Sequence, residues 1–193
     1  MDELDVPPTS NDIVWFRPVQ PEDHGFLRNI ELSGEVGLRW RFRGSTPTAE
    51  QWAQSGANAM VQFVVMTTDD NQAIGLVTLH DTNFQDGYAS VSMTKFSVHD
   101  RSLRMMSALL LFLDYGFKNW RLRKLYLEVP EYNLDQFSSS MNEYLNVEAR
   151  LVEHIYTAGK YWDRITLSLF ERDWPGVRDH FAPLMRMGEV NDG

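Results

Sequence analysis

Between positions 39 and 43 the chain alternates arginine with aromatic residues: Arg39, Trp40, Arg41, Phe42, Arg43. Guanidinium forks match carboxylates, so an acidic substrate or a peptide C-terminus would suit this stretch. Arg and Trp also concentrate in protein interfaces, and a solvated loop balancing the acidic excess elsewhere is a third reading. Other chemistry is excluded by residue type or spacing. The histidines at 24, 80, 99, 154 and 180 lack the spacing of metal ligands, so no metal site is expected. There is no Gly-x-Ser-x-Gly elbow, no phosphate-binding Gly-Lys-Ser/Thr loop and no dinucleotide fingerprint. With no cysteine, a thiol nucleophile, thiolate zinc and a disulfide framework are ruled out, which fits a cytoplasmic protein.

The elements that would position such groups must come from one domain. A length of 193 residues suits a single core without disulfide or metal staples. Six Trp, eleven Phe and seven Tyr predict a core or interface dominated by aromatic contacts. The net charge of −9 repels phosphate backbones and weakly favours cationic partners such as amines, so nucleic acid is not an expected partner. No apolar run approaches the roughly 18 residues that span a bilayer, and the acidic Met1–Asp5 start does not resemble a signal peptide, so no membrane association is expected.

Residues 1–11 read as a flexible tail, 12–175 as one domain and 176–193 as a C-terminal helix or tail. Ile13–Phe16 predicts a strand, Pro21-Glu22-Asp23 opens a helix, and residues 33–46 predict a long loop. Thr48 and Gln51 form a capping-box pattern before a helix running to about Ala59. Val61–Met66, Ala73–His80 and Tyr88–Phe96, separated by short turns, predict an antiparallel meander. Leu103–Trp120 carries a broad apolar stripe and is the longest helix signal, followed by a buried strand over Leu125–Val129. Residues 134–145 predict an amphipathic helix. Leu151–Tyr156 and Tyr161–Phe170 predict a hairpin that Asp173-Trp174-Pro175-Gly176 stops, with a short helix from Val177 to about Met187. The order is a mixed α/β layer structure whose sheet topology the pattern leaves open.

One family matches this order. Phe16-Arg17-Pro18 with Asp23, Gly75 at a strand start, the run Asp114 to Val129, Asn133 after it, Glu148-Ala149-Arg150, Tyr161-Trp162-Asp163 and Glu171-Arg172-Asp173-Trp174 follow one another as in the RimJ/RimL-like branch of the GNAT N-acetyltransferases. The chain resembles that branch over roughly residues 13–174. The resemblance implies the GNAT fold, a mixed, mostly antiparallel sheet of about six to seven strands flanked by helices. It implies an acyl-CoA-dependent N-acyltransferase moving an acetyl or other acyl group to a small-molecule or peptide amine, with acetyl-CoA as co-substrate and a possible homodimer. The departure lies before the long helix. The two glycines that let the family's backbone approach the coenzyme A pyrophosphate fall at Arg101 and Leu103 here, within Asp100-Arg101-Ser102-Leu103-Arg104-Met105. The alternative is therefore a degenerate GNAT-fold protein acting as a binding or interaction module.

Under the resemblance, coenzyme A would contact the fourth-strand segment Thr94, Phe96 and Val98, then Arg101, Ser102, Leu103, Arg104, Met105 and Met106, then Asn133 and Phe137. Fourth-strand backbone would polarise the acyl carbonyl. Glu128 in the fifth strand, and His80 and Asp81 at the end of the third, are the candidate bases for the amine, and Ser139 or Tyr144 the proton donor to the thiolate. Arg39, Trp40 and Arg41 would lie on the acceptor side. Blander roles stand beside each of these: a solvated strand-end histidine, an ion-paired Glu128, a surface run of serines, and a helix N-cap for Asn133.

Overall fold

The computed structural model describes residues 8–33, 42, 44–56, 59–97, 99, 102–136 and 143–185. Its first helices follow from local chemistry. Strand β1 (Val14–Pro18) leads to α1 (Asp23–Leu32), where Asp23 accepts both guanidinium bonds of Arg17 at 2.8 Å and the Gln20 amide at 2.8 Å. Helix α2 (Ala49–Ser55) is started by the capping box, with Thr48 Oγ1 accepting from the Gln51 amide and Gln51 Oε1 accepting from the Thr48 amide. It ends at Ser55 rather than near Ala59, because Ala59 is already taken into the next strand, opposite His80.

The meander forms as its alternation predicts: β2 (Ala59–Thr67), β3 (Ala73–Asn83) and β4 (Tyr88–Lys95). Gly87, at φ 67°, makes the last of its turns. Helix α3 (Arg104–Asn119) follows, then β5 (Lys124–Pro130). The helix expected over 134–145 is, in its described part, a 3-10 helix over Glu131–Gln136 that starts directly from β5. Strands β6 (Asn146–Thr157) and β7 (Lys160–Phe170) form the closing hairpin. The stop expected at Asp173-Trp174-Pro175-Gly176 is instead a helix start: α4 spans Trp174–His180 with Pro175 in its first turn, and a short α5 (Ala182–Met185) follows. Trp174 is held there because its indole N–H donates to the buried Asp114 of α3 at 2.9 Å.

Among the described residues the seven strands make one sheet, ordered β1-β2-β3-β4-β5-β7-β6, antiparallel throughout except for the β4–β5 pair. One face buries Phe16, Phe63, Val77, Val91, Leu125 and Leu127 against α3, whose Leu109–Leu113 run is wholly inside. The other face is covered only in part: Leu27 of α1 and Trp52 of α2 pack on Val64 and Leu76. On that second face Ser92 of β4 and Glu128 of β5 stay exposed. No helix among the described residues is long and apolar enough to cross a membrane.

Candidate active site

The two central strands part. β4 and β5 pair in parallel only from Tyr88 opposite Lys124 to Val91 opposite Leu127. Beyond that rung β4 stays laddered to β3 as far as Lys95, and β5 to β7 as far as Pro130. Each arm is thus held by its outer neighbour, and the wedge between them is a built feature rather than a frayed end. The ladder fixes which backbone groups line it. Phe96 donates to Ile74 at 2.9 Å, so Thr94 and Ser92 also bond towards β3, and the amide of Met93 points the other way, into the wedge.

Helix α3 begins over this open end. Met105 is 2% exposed, and a Cβ added to Gly75 would lie 2.4 Å from its Cε and 2.5 Å from its Sδ. Gly75 is the β3 partner of Lys95 at the tip of the β4 arm, so the absent side chain is what lets the helix settle there. Leu103, at the N-cap position of α3, supplies no side-chain cap, and among the described residues the first bond inside the helix is donated by Ser107 to Leu103, 2.9 Å. The amides of Arg104, Met105 and Met106 precede it and have no acceptor within the helix. Leu103 has φ −81°, a conformation open to any residue, and the residue is 62% exposed rather than packed into the wedge.

The expected coenzyme contacts divide accordingly. Thr94, Ser102, Leu103, Arg104 and Met106 stand at the wedge or the helix start, and Asn133 lies in the 3-10 helix that leaves the β5 arm. Met105 belongs there by its backbone alone, because its side chain is part of the core. Phe96 is spoken for by packing: it meets Phe26 of α1 edge-on at 5.5 Å and joins the cluster under that helix. Arg104 donates to Asp69 in the β2–β3 turn at 2.8 Å, an exposed pair that draws its charge sideways. Arg39, Trp40, Arg41, Val98, Arg101, Phe137 and Ser139 lie outside the described residues.

Of the candidate acid–base groups, two reach the wedge. His80 and Glu128 lie on the partly open face, on either side of it. Glu128 is the first β5 residue past the last rung and is ion-paired with Arg164 at 3.2 Å. His80 Nδ1 is 2.8 Å from Asp81 Oδ2, and its Nε2 is 2.7 Å from Ser92 Oγ. The sequence alone does not single out Ser92; the polar alternation Ser90, Ser92 is visible in it, but the diagonal relation of Ser92 to His80 depends on the register that sets Thr78 opposite Ser92. Tyr144 is not brought to the wedge. It packs on Gly176, lies 6.0 Å from His180, and lines a cleft of roughly 400 Å³ with Glu143, Asn146, Arg172 and Asp173, beside the end of β7 that pairs with the start of β5.

Beyond Tyr126 the same face carries a polar cluster that braces β6 to β5. Glu148 accepts from Lys124 at 2.9 and 3.0 Å, from Ser168 at 2.7 Å and from Tyr126 at 3.3 Å. The Lys124 bond, then that of Ser168, holds the Glu148 carboxyl below its ordinary range. Burial pushes the Lys124 ammonium down, but hydrogen bonds with Tyr126 and Glu148 together outweigh it and hold it above its ordinary value.

No family model matches the sequence, and no curated protein sequence does. Solved structures do match in shape. The spermidine N-acetyltransferase of Vibrio cholerae in complex with CoA and spermine superposes with a TM-score of 0.72 at 21% identity, over 86% of this chain and 99% of that one. The spermidine/spermine N-acetyltransferase SpeG of the same organism, in complex with manganese ions, gives 0.68 at 22% identity, over 86% and 96%. A spermidine N-acetyltransferase SpeG chimera from Vibrio cholerae and hSSAT gives 0.70 at 21% identity, over 84% and 98%. The seven-stranded, mostly antiparallel sheet parted between β4 and β5 and flanked by helices is thus the fold of these acetyltransferases.

Proposed function

We propose that this protein is a GNAT-type N-acyltransferase that moves an acyl group, acetyl in the simplest case, from coenzyme A to the amine of a small molecule or peptide. The observation that carries the reading is the wedge past Val91 and Leu127 lying under the start of α3. The amides of Arg104 to Met106, which have no acceptor within the helix, suit a diphosphate, with the helix dipole behind them. The inward amide of Met93 suits a developing oxyanion on an acyl carbonyl seated in the wedge. His80 and Glu128 flank the mouth as proton acceptors for the amine. The matched neighbours are N-acetyltransferases, one of them in complex with CoA and spermine, which supports a cationic amine as acceptor, as does the net charge of −9. The ordered run of short matches from Phe16 to Trp174 supports placing the chain in the RimJ/RimL-like branch.

Thermal denaturation with added acetyl-CoA tests this directly. Ligand at about 100 times its dissociation constant stabilises the folded state by about 2.7 kcal/mol, which raises Tm by roughly 5–11 °C for a domain of this size. An unchanged Tm at millimolar acetyl-CoA would reject the transferase and leave a GNAT-fold interaction module.

A further inference from the structure

Asp81, His80 and Ser92 are joined in a fixed order: carboxylate to Nδ1 at 2.8 Å, Nε2 to hydroxyl at 2.7 Å. With the Nδ1–H donated to Asp81, Nε2 carries the lone pair and accepts from the Ser92 O–H. Such a chain activates a serine, and it is recognised by geometry rather than by sequence position. Its assembly takes a local distortion. Successive residues of a strand point to opposite faces, so Asp81 would ordinarily turn away from its neighbour His80. It does not, because the β3–β4 ladder is irregular between His80 and Asn83 and Asp81 adopts φ 48°, a left-handed conformation unusual for a residue other than glycine. The bulge re-aims the carboxylate onto the imidazole.

The hydroxyl at the end of the chain stands at the root of the wedge, where the acyltransferase reading seats the acyl group. Ser92 is exposed and is the first β4 residue past the last β4–β5 rung. The next amide along the chain is that of Met93, which points into the wedge. A donor one residue after the nucleophile is the arrangement that stabilises the tetrahedral oxyanion in serine hydrolases.

We propose that Ser92 is a nucleophile that carries the acyl group as an ester, giving the protein a covalent, two-step acyl transfer and an intrinsic esterase or thioesterase activity. Ser92 Oγ attacks the carbonyl carbon of an activated ester or thioester while its proton passes to His80 Nε2. The carbonyl π pair moves onto oxygen, against the Met93 amide. Collapse breaks the carbon–sulfur or carbon–oxygen bond, and the leaving group departs with that pair and takes the proton from His80. In the second step an amine or water gives its proton to His80, attacks the Ser92 ester and releases the hydroxyl, which regains the proton. Nothing is oxidised or reduced.

The inference deepens the acyltransferase reading but its test needs no coenzyme A. The full chain is mixed with p-nitrophenyl acetate, and nitrophenolate release is followed by stopped flow beside intact-protein and peptide mass spectrometry. The expected result is a burst approaching one equivalent per chain and one acetyl group on the peptide bearing Ser92. S92A, which alters an exposed side chain, keeps its Tm and loses burst and adduct; S92C keeps an adduct at that position. H80Q slows acylation by about 100-fold. D81N slows it only about threefold, because Asp81 is 71% exposed and its field is screened by water. A fluorophosphonate probe should label the same serine. Absence of burst and label in the wild-type protein overturns the proposal, as does an adduct elsewhere. So does unchanged acetyl-CoA-dependent amine acetylation in S92A, a result that would leave the transferase standing. A burst without any coenzyme A binding would do the opposite, keeping the nucleophile and removing the donor.

Discussion

Replacing Gly75 by alanine puts one carbon where Met105 already stands. The new Cβ would lie 2.4 Å from Met105 Cε, 2.5 Å from its Sδ and 2.7 Å from the Thr94 carbonyl oxygen. Two of these contacts are to the end of a side chain, but that side chain is 2% exposed and has little room to turn. The third is to backbone on the β4 arm, held in register by Leu76 opposite Thr94. Something must move, either the first turn of α3 or the arm of the wedge. Overpacking of this kind costs about 1–3 kcal/mol, and the backbone contact places G75A in the upper half of that range. The corresponding fall in Tm is roughly 4–12 °C. Urea denaturation followed by Trp fluorescence gives the free energy, and a double-mutant cycle gives its cause. M105A alone should cost about 2–5 kcal/mol through the cavity it leaves. In G75A/M105A the added methyl occupies part of that space, so the pair should cost less than the sum of the singles by about 1–2 kcal/mol. The Thr94 oxygen keeps the relief incomplete. G75A within about 0.5 kcal/mol of wild type, or strict additivity in the cycle, would refute the claim that Gly75 exists to seat the helix.

W174F removes the indole N–H that donates to Asp114, leaving a fully buried carboxylate with the more distant Lys118 at 3.3 Å and Arg178 at 4.0 Å; a loss of about 1.5–3 kcal/mol in urea denaturation should follow. Asp23 and Glu148 are held below the ordinary carboxylate range, by Arg17 and by Lys124 first of all. Groups depressed in this way contribute stability that is complete above their unfolded pKa and is lost as pH falls through the folded one. The denaturation midpoint should therefore drop from the ordinary carboxylate range downward, and K124M should flatten part of that slope; a midpoint that rises on acidification would contradict the sign. D69N frees Arg104 at an exposed site, so stability should change by less than about 0.5 kcal/mol. If α3 holds the diphosphate, the same variant should tighten acetyl-CoA binding about two- to fivefold in calorimetry at low salt, with the gain shrinking as salt is added.

The elements were legible because their signals are local. The Thr48–Gln51 box, the polar alternation through Ser90 and Ser92, and the apolar stripe of α3 each report on a few neighbouring residues, and all three are present as read. The misread boundaries are those that a distant partner decides. Ala59 is drawn out of α2 by His80, and Trp174 is drawn into α4 by Asp114, sixty positions earlier in the chain. The site divides along the same line. Glu128 could be proposed from its alternation with Tyr126, and His80 from its place at a strand end, since each needs only its own strand. Ser92 could not, because its role follows from a register and a left-handed residue that no pattern announces. The Leu103 departure shows the converse. A missing glycine reads in sequence as a broken loop, yet at φ −81° and with the side chain turned outward the backbone there asks nothing that leucine cannot give. A glycine that is costly to replace stands instead at Gly75, where Met105 of the helix, rather than the ligand, demands the space. Loss of a family glycine therefore argues against ligand binding only where the backbone needs a positive φ or the ligand must pass through the Cβ, and Leu103 does not meet the first condition.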